Sequence, residues 1–271
     1  MDYTLRGGGV KKYMSWIILL GTLICVGFVC LLGMYKEAMR NTVLEHTLVF
    51  EEFPASFQKV NVFFISDIHR RIISNSLIEQ VKGKVDFVII GGDLAEKGVP
   101  LSQISLNIQK LREVAPVYFV WGNNDYEIEY HELDALLLEN NVKVLDNTRV
   151  VFESESGEKI CLLGVDDVGL ERDRLDLALA DCKEEGLRIL ISHNPDIIKK
   201  MSGKERISLV LSGHTHGGQI RLFPSKKHLK GGVYKHSNTT LFVSNGYGTT
   251  LFPLRFRAPS QTHIITLCRG K

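Results

Sequence analysis

SGHTHGGQ, residues 212–219, closes the apolar run ISLVL and sets His214 and His216 immediately beyond it. The same arrangement recurs upstream. FFISDIH ends in Asp67 and His69, VIIGGD in Asp93, FVWGNND in Asn123, and LISH in His193. Five β-like runs thus finish in side chains able to ligate a metal. An α/β protein builds its site in this way, at the carboxyl ends of its strands. Taken singly, each residue has an ordinary role: Asp67 and Asp93 could cap helices, the paired glycines could be turns, and His193 could be a satisfied strand-end histidine. Those roles impose no order, whereas the observed order describes one site.

Between these runs the pattern alternates between strand and helix. VNVFFIS precedes a helix near 74–82, DFVIIGG one near 101–114, and PVYFVWGN one near 131–140, before the short strand VKVLD. The second half is richer in strands. TRVVFE and KICLLGV flank a hairpin turn at SESG, and a helix near 173–184 leads to LRILISH. A short helix at 195–201 leads to ISLVLSGH, and strands follow at QIRLF, TLFVSN and THIITL. The pattern predicts an α/β fold in which two sheets pack together with helices outside.

Of the 271 residues, 44% are apolar and 24% charged, a balance that excludes extended disorder. Met14–Tyr35 carries no charge. As a helix it would extend about 33 Å, enough to cross a bilayer core. It is longer than a signal-peptide core and no small-residue cleavage site follows it, so an uncleaved anchor is expected. The expected organisation is a basic segment at 1–13, a transmembrane anchor at 14–35, a juxtamembrane segment at 36–58 and one catalytic domain at 59–271. Arg6, Lys11 and Lys12 precede the span against Lys36 and Arg40 after it. That excess favours an inside N-terminus, a single-pass membrane protein and an extracytoplasmic domain. Arg70-Arg71 lies too deep in the chain to be an export signal.

The formal charge of +2 comes from the N-terminus. Five Lys/Arg against two acids in residues 1–40 leave −1 for the remainder, which offers no basic footprint for nucleic acid. Cys25 and Cys30 lie in the apolar run, and Cys161, Cys182 and Cys268 are scattered without paired spacing. Neither a disulfide framework nor a thiolate metal site is indicated. Asp, His and Asn without thiolate suit Mn²⁺ first, then Fe or Zn²⁺.

The ordered motifs D-x-H, G-G-D, G-N, a lone His and G-H-T-H resemble the calcineurin-like metallophosphoesterase superfamily over residues 60–268. The resemblance implies a four-layer α-β-β-α sandwich and two divalent metal ions. Asp67, His69 and His216 would hold one ion; Asn123, His193 and His214 would hold the other, with Asp93 bridging. It further implies hydrolysis of a phosphodiester or pyrophosphate bond by hydroxide shared between the ions. The C-terminal GGQIRLF and VSNGYGTTLFPLRFRAPSQTHIITL are similar to a membrane-associated bacterial branch that includes phosphodiesterases and UDP-diacylglucosamine pyrophosphatases. A lipid- or nucleotide-linked substrate follows from that likeness. The alternative from another class is a membrane-tethered binding module that keeps the metals for folding.

One departure stands out. The family has Gly-Asn-His followed by an acid; here the run is Gly122-Asn123-Asn124-Asp125. Asn124, His193 and Asp125 are then the expected catalytic groups around the developing charge, yet Asn124 cannot deliver a proton. Activated bonds should be preferred over alkyl monoesters. His131 is the nearest histidine but falls on a charged helical stretch. Around the last motif, Arg221, Lys226, Lys227, Lys230, Arg255 and Arg257 mix with Leu222, Phe223, Leu251 and Phe252. Such a mixture suits a lipid headgroup and its chain, and equally suits a solvated loop with a few buried aromatics.

Overall fold

Strand β2 (Lys59–Ile65) sets the architecture, because it is apolar on both faces. Val62 and Phe64 point one way, Phe63 and Ile65 the other, and all four are buried. Such a strand needs a packed layer on each side. The structure, a computed structural model, describes residues 7–180, 182, 186–223 and 228–270.

Two six-stranded sheets supply the layers. In the first, β1 (Val43–Phe50) pairs in parallel with β12 (Thr262–Arg269), and β12 pairs antiparallel with β2. Beyond β2 come β3 (Phe87–Ile90), β4 (Val117–Phe119) and β5 (Lys143–Val144), all parallel. Parallel neighbours require crossovers, supplied by α2 (Asn75–Val81), α3 (Leu101–Arg112) and α4 (Tyr130–Glu139). Ser74 starts α2 by accepting from Leu77 N through its hydroxyl, the usual service of an N-cap serine. In the second sheet β6 (Thr148–Glu153) pairs antiparallel with β7 (Lys159–Gly164). Parallel β8 (Leu187–Ile191), β9 (Leu209–Ser212) and β11 (Thr239–Val243) follow, with β10 (Gly232–His236) antiparallel at the edge.

Three cores fill the layers. Phe64, Ile89, Leu162, Ile189, Leu211 and Phe242 belong to the core between the sheets. Phe63, Ile65, Leu77, Ile108 and Leu133 pack the first sheet under α2–α4. Leu163, Leu190, Val210 and Ile197 pack the outer face of the second, together with Ala178 of α5 (Leu175–Leu179). The expected α-β-β-α sandwich is what the chain forms.

Local expectations change in four places. The segment read as juxtamembrane, 36–58, contains β1, whose pairing with β12 carries the first sheet back to Val43. Burial along β1 only moves between intermediate and exposed until Phe50, and Val43-Leu44-Glu45-His46-Thr47 shows no clean polar-apolar alternation to announce a strand. Helix α5 covers five residues rather than 173–184, of which 181, 183 and 184 lie outside the described residues. The run at 195–201 is a 3₁₀ turn, Pro195–Lys200. QIRLF is not a strand: Ile220 makes a single bridge to Phe256. All five cysteines are free, although Cys161 and Cys182 bring their sulfurs to 3.1 Å.

Helix α1 (Gly7–Ala38) contains a candidate membrane span, Lys12–Ala38, with none of its most apolar window buried by protein. Each large apolar side chain left in water forgoes about 1.5–3 kcal/mol of burial, which is why so exposed an apolar helix is a candidate to cross a membrane. Its last turns are tied to the domain. Arg71 donates to Ala38 O (3.1 Å), Met39 O (2.8 Å) and Arg40 O (2.9 Å), and its guanidinium lies 3.7 Å over the Tyr247 ring. A cation on the last carbonyls complements the negative end of the helix.

Candidate metal centre

The loops after β2, β3, β4, β8 and β9 meet at one end of the sandwich, and the seven expected ligands come with them. One ligand atom each from Asp67, His69, Asp93 and His216 fall within 4.8 Å of one another, and all four residues are buried. The His69 and His216 Nε2 atoms are 3.1 Å apart. Asp67 Oδ1 lies 3.3 Å from His216 Nε2, and Asp93 Oδ2 lies 3.7 Å from His69 Nε2. On the other side of Asp93, His193 Nε2 approaches Oδ2 to 3.1 Å and His214 Nδ1 approaches His193 Nε2 to 3.3 Å. Asp93 therefore touches both groups.

The loops hold these atoms by backbone conformation. Asp67, His69, Asp93, His214 and His216 all have φ between 48° and 68°. This left-handed region costs a non-glycine residue about 1–2 kcal/mol, and such strain gathers where function requires it. Two glycines make the close approaches: a Cβ on Gly122 would meet Asp93 Oδ1 at 2.3 Å, and one on Gly92, at φ 83°, would meet His193 Nδ1 at 2.5 Å. His193 Nδ1 is 2.8 Å from Gly91 O; donating there fixes the ring and turns Nε2 toward Asp93, where it holds a proton until a bound cation takes that proton's place.

Electrostatics point to a cation. Burial pushes His214 and His216 toward the neutral, ligating form. Burial also works against a charged His193, but Asp93 outweighs it and raises the imidazole to about 10. Burial would raise Asp93 in turn, yet His193 holds it below the usual carboxylate range. The cluster thus favours positive charge at its centre. The donor set fits a divalent ion, and one further atom asks for it: Asn123 Oδ1 is buried without a hydrogen-bond partner. An orphaned buried acceptor costs about 1–3 kcal/mol, a penalty that ligation removes.

A cavity of about 360 Å³ opens on this centre, lined among others by Asp93, Asn123, Asn124, His214 and His216. His228 also lines it and can carry a proton, which the sequence pattern did not suggest. A larger cavity, about 740 Å³, lies near Arg188, Ser208 and Asn238 at the amino ends of β8, β9 and β11, away from these ligands.

The expected catalytic residues separate. Asn124 lines the cavity, donates through its amide to Glu127 Oε1 at 2.9 Å, and its backbone N–H donates to Asp93 Oδ1 at 2.9 Å. Asp125 is different. Its fully buried carboxylate accepts from Asp93 N, Ala95 N and Gly122 N, each at 2.9 Å. With its oxygens so engaged it clamps the Asp93 and Asn123 loops together and is a positioning residue here. Burial and the nearby Asp93 charge push it up to about 7. His131 is exposed on α4.

Several residues escaped the sequence reading. Glu96 bonds Arg70 and brings Oε2 to 3.1 Å from His69 Nδ1, in ion-pair range without hydrogen-bond alignment. Asp166 accepts from Tyr126 Oη and Arg172 Nε, and Asp167 beside it is buried with Oδ2 unpartnered. Their signal was available, since KICLLGV also ends in acids. Arg255, read as suited to a headgroup, is instead fully buried. It donates to the carbonyls of Asn245 (2.7 Å), Gly248 (2.6 Å) and Ala258 (2.8 Å), and lies 3.3 Å from His216 Nδ1. Lys226 and Lys227 fall outside the described residues.

A family model described as calcineurin-like phosphoesterase matches residues 60–218, and the chain belongs to that family. Uncharacterized protein YpbG of Bacillus subtilis (strain 168) is 44% identical over 87% of this chain and 91% of its own length. The uncharacterized metallophosphoesterase YkoQ of the same organism is 31% identical over 80% of this chain and 88% of its own. A transmembrane protein with metallophosphoesterase domain from Danio rerio is 30% identical over 90% of this chain, which spans 61% of that relative. Family and ligand cluster together make this a metal-dependent phosphoesterase.

Proposed function

We propose that the chain is a membrane-anchored phosphohydrolase working with two divalent metal ions, Mn²⁺ the favoured pair, on phosphodiester or pyrophosphate bonds. The observation that carries the reading is Asp93, in contact with both ligand groups. Asp67, His69 and His216 would hold one ion; Asn123, His193 and His214 the other. Bound there, the ions supply Lewis acidity toward the phosphoryl oxygens and ionised water at neutral pH. The protein's own part is orientation. Gly91 O fixes the His193 ring, Asp125 holds two ligand loops in register, and the Asn124 backbone amide aligns Asp93.

Asn124 bears on substrate choice. Its amide is engaged with Glu127 and carries no transferable proton. A phosphate or nucleotide leaving group departs as a stable anion, whereas an alkoxide needs an acid, worth about 10²–10⁴-fold. Lipid- or nucleotide-linked diphosphates are therefore the proposed substrates, as in the pyrophosphatase branch that the C-terminal motifs resemble. The excess positive charge before the span supports an extracytoplasmic domain.

Full-length protein reconstituted with Mn²⁺ should turn over diphosphate esters and aryl phosphodiesters but cleave alkyl monoesters slowly, with His228→Gln as the control for a second acid. Equal rates on alkyl monoesters and diphosphates would remove the leaving-group argument. Bound metal with no turnover on any phosphate ester would leave a binding module.

A further inference from the structure

The loop after the last ligand motif and the loop before β12 form one unit. Gln219 Nε2 donates to Thr250 O and Thr250 N donates to Gln219 Oε1, both at 2.9 Å. Phe256 N donates to Gln219 O at 2.8 Å, and Arg221 N returns a bond to Phe256 O at 3.0 Å. Gln219 and Thr250 are also lining residues of the cavity over the metal ligands. The paired loops are thus its rim.

Their outer side is apolar and bare. Leu251 is 89% exposed, Phe223 79% and Phe252 69%, with Leu222 and Ile220 beside them in sequence also exposed. Bulky apolar side chains gathered on a rim mark a contact surface. Its position relative to α1 identifies the contact. Arg255 N donates to Met34 O at 3.0 Å, and Ser260 N donates to Glu37 O at 3.2 Å. The 250–256 loop therefore lies against the last turns of the candidate span. A 27-residue span is about 40 Å long at 1.5 Å per residue. That length matches a bilayer including its headgroup layers, about 40–45 Å. Met34, about 6 Å from the end of the helix, sits at headgroup depth, and the loop bonded to it shares that depth. Exposed Arg257 over the Phe256 ring and exposed Lys36 add positive charge at the same level, suited to anionic lipid.

We infer that the paired loops 219–223 and 250–257, with the end of α1, form one membrane-contact surface that seats the rim of the metal cavity on an anionic phospholipid bilayer. The inference rests on α1 spanning the membrane. It explains why Leu251 and Phe252, useless for folding, protrude beside a catalytic opening: they enter the interface, and the cavity meets phosphorylated groups at the membrane surface.

The test is photocrosslinking of the full-length chain in nanodiscs of phosphatidylcholine with phosphatidylglycerol. p-Benzoylphenylalanine replaces Leu251, Phe252 or Phe223 in turn, with Leu23 inside α1 as the positive position and exposed Leu138 of α4 as the negative one. Mass spectrometry reads lipid adducts without any need for turnover. Adducts at 251, 252, 223 and 23, with none above background at 138, are expected. Adducts at 23 without any on the loops would overturn the surface while leaving the anchor. No adducts at 23 or the loops would overturn both. Loop crosslinks to a second copy of the chain in place of lipid would also overturn the inference.

Discussion

The two halves of the metal centre are built differently. Asp67, His69, Asp93 and His216 are buried, with their ligand atoms already gathered. In the other group His193 is equally buried, but Asn123 and His214 are only half-buried and line, with Asp93 and His216, the cavity that Asn124 also borders. On the two-ion proposal, the group around His69, the closed half, would retain an ion, and the half-buried group, the open half, would be where a substrate phosphate enters. On that proposal the centre divides tight holding from exchange, and the Asp93 carboxylate faces histidines of both groups, His69 in one and His193 in the other.

Breaking the shared residue should have the largest effect. Asp93→Ala abolishes turnover, measured with an aryl phosphodiester and Mn²⁺, while a preserved circular-dichroism spectrum shows that the fold survives. Next, His69→Ala and His214→Ala should separate the halves. Dialysis against a mild chelator removes metal from the His69 variant completely, whereas the His214 variant keeps the ion of the closed half. Metal analysis of both reads the difference, and identical retention would dissolve the distinction. Asn124→His sharpens the open half: by placing an acid at the rim it should raise alkyl monoester hydrolysis by about 10²-fold, with little change on diphosphates. The smallest effect lies outside both halves. Arg71→Ala removes side-chain donors to Ala38, Met39 and Arg40 at the end of α1, and should lower stability by on the order of 3 kcal/mol, seen as a lower Tm with metal content unchanged.

The sequence disclosed the candidate ligands because strand ends leave a local signature: an apolar run, a glycine or serine, then a side chain able to ligate. It disclosed the layers because strand-like and helical patterns alternate along the chain and the second half is richer in strands. What it hid depends on long-range contact. Asp125 looks like a catalytic acid beside Asn124, and only the backbone amides of Asp93, Ala95 and Gly122 reveal its clamp. Arg255 reads as a surface cation in a basic, aromatic stretch, yet carbonyls from three segments bury it behind His216. Strand β1 hides in a polar lead-in because its partner, β12, lies at the other end of the chain. The left-handed backbone at five candidate ligands has only a weak signal in residue type, since Asp and His tolerate that region better than most but mark it far less sharply than glycine.

Counting the metal tests the central claim most directly. Full-length protein in nanodiscs, stripped and then saturated with Mn²⁺, is passed through a desalting column and its metal per chain determined beside Asp93→Ala. The account predicts two ions per chain in the unaltered protein and loss of at least one in the variant. One ion or none in the unaltered protein, or two retained without Asp93, would contradict it.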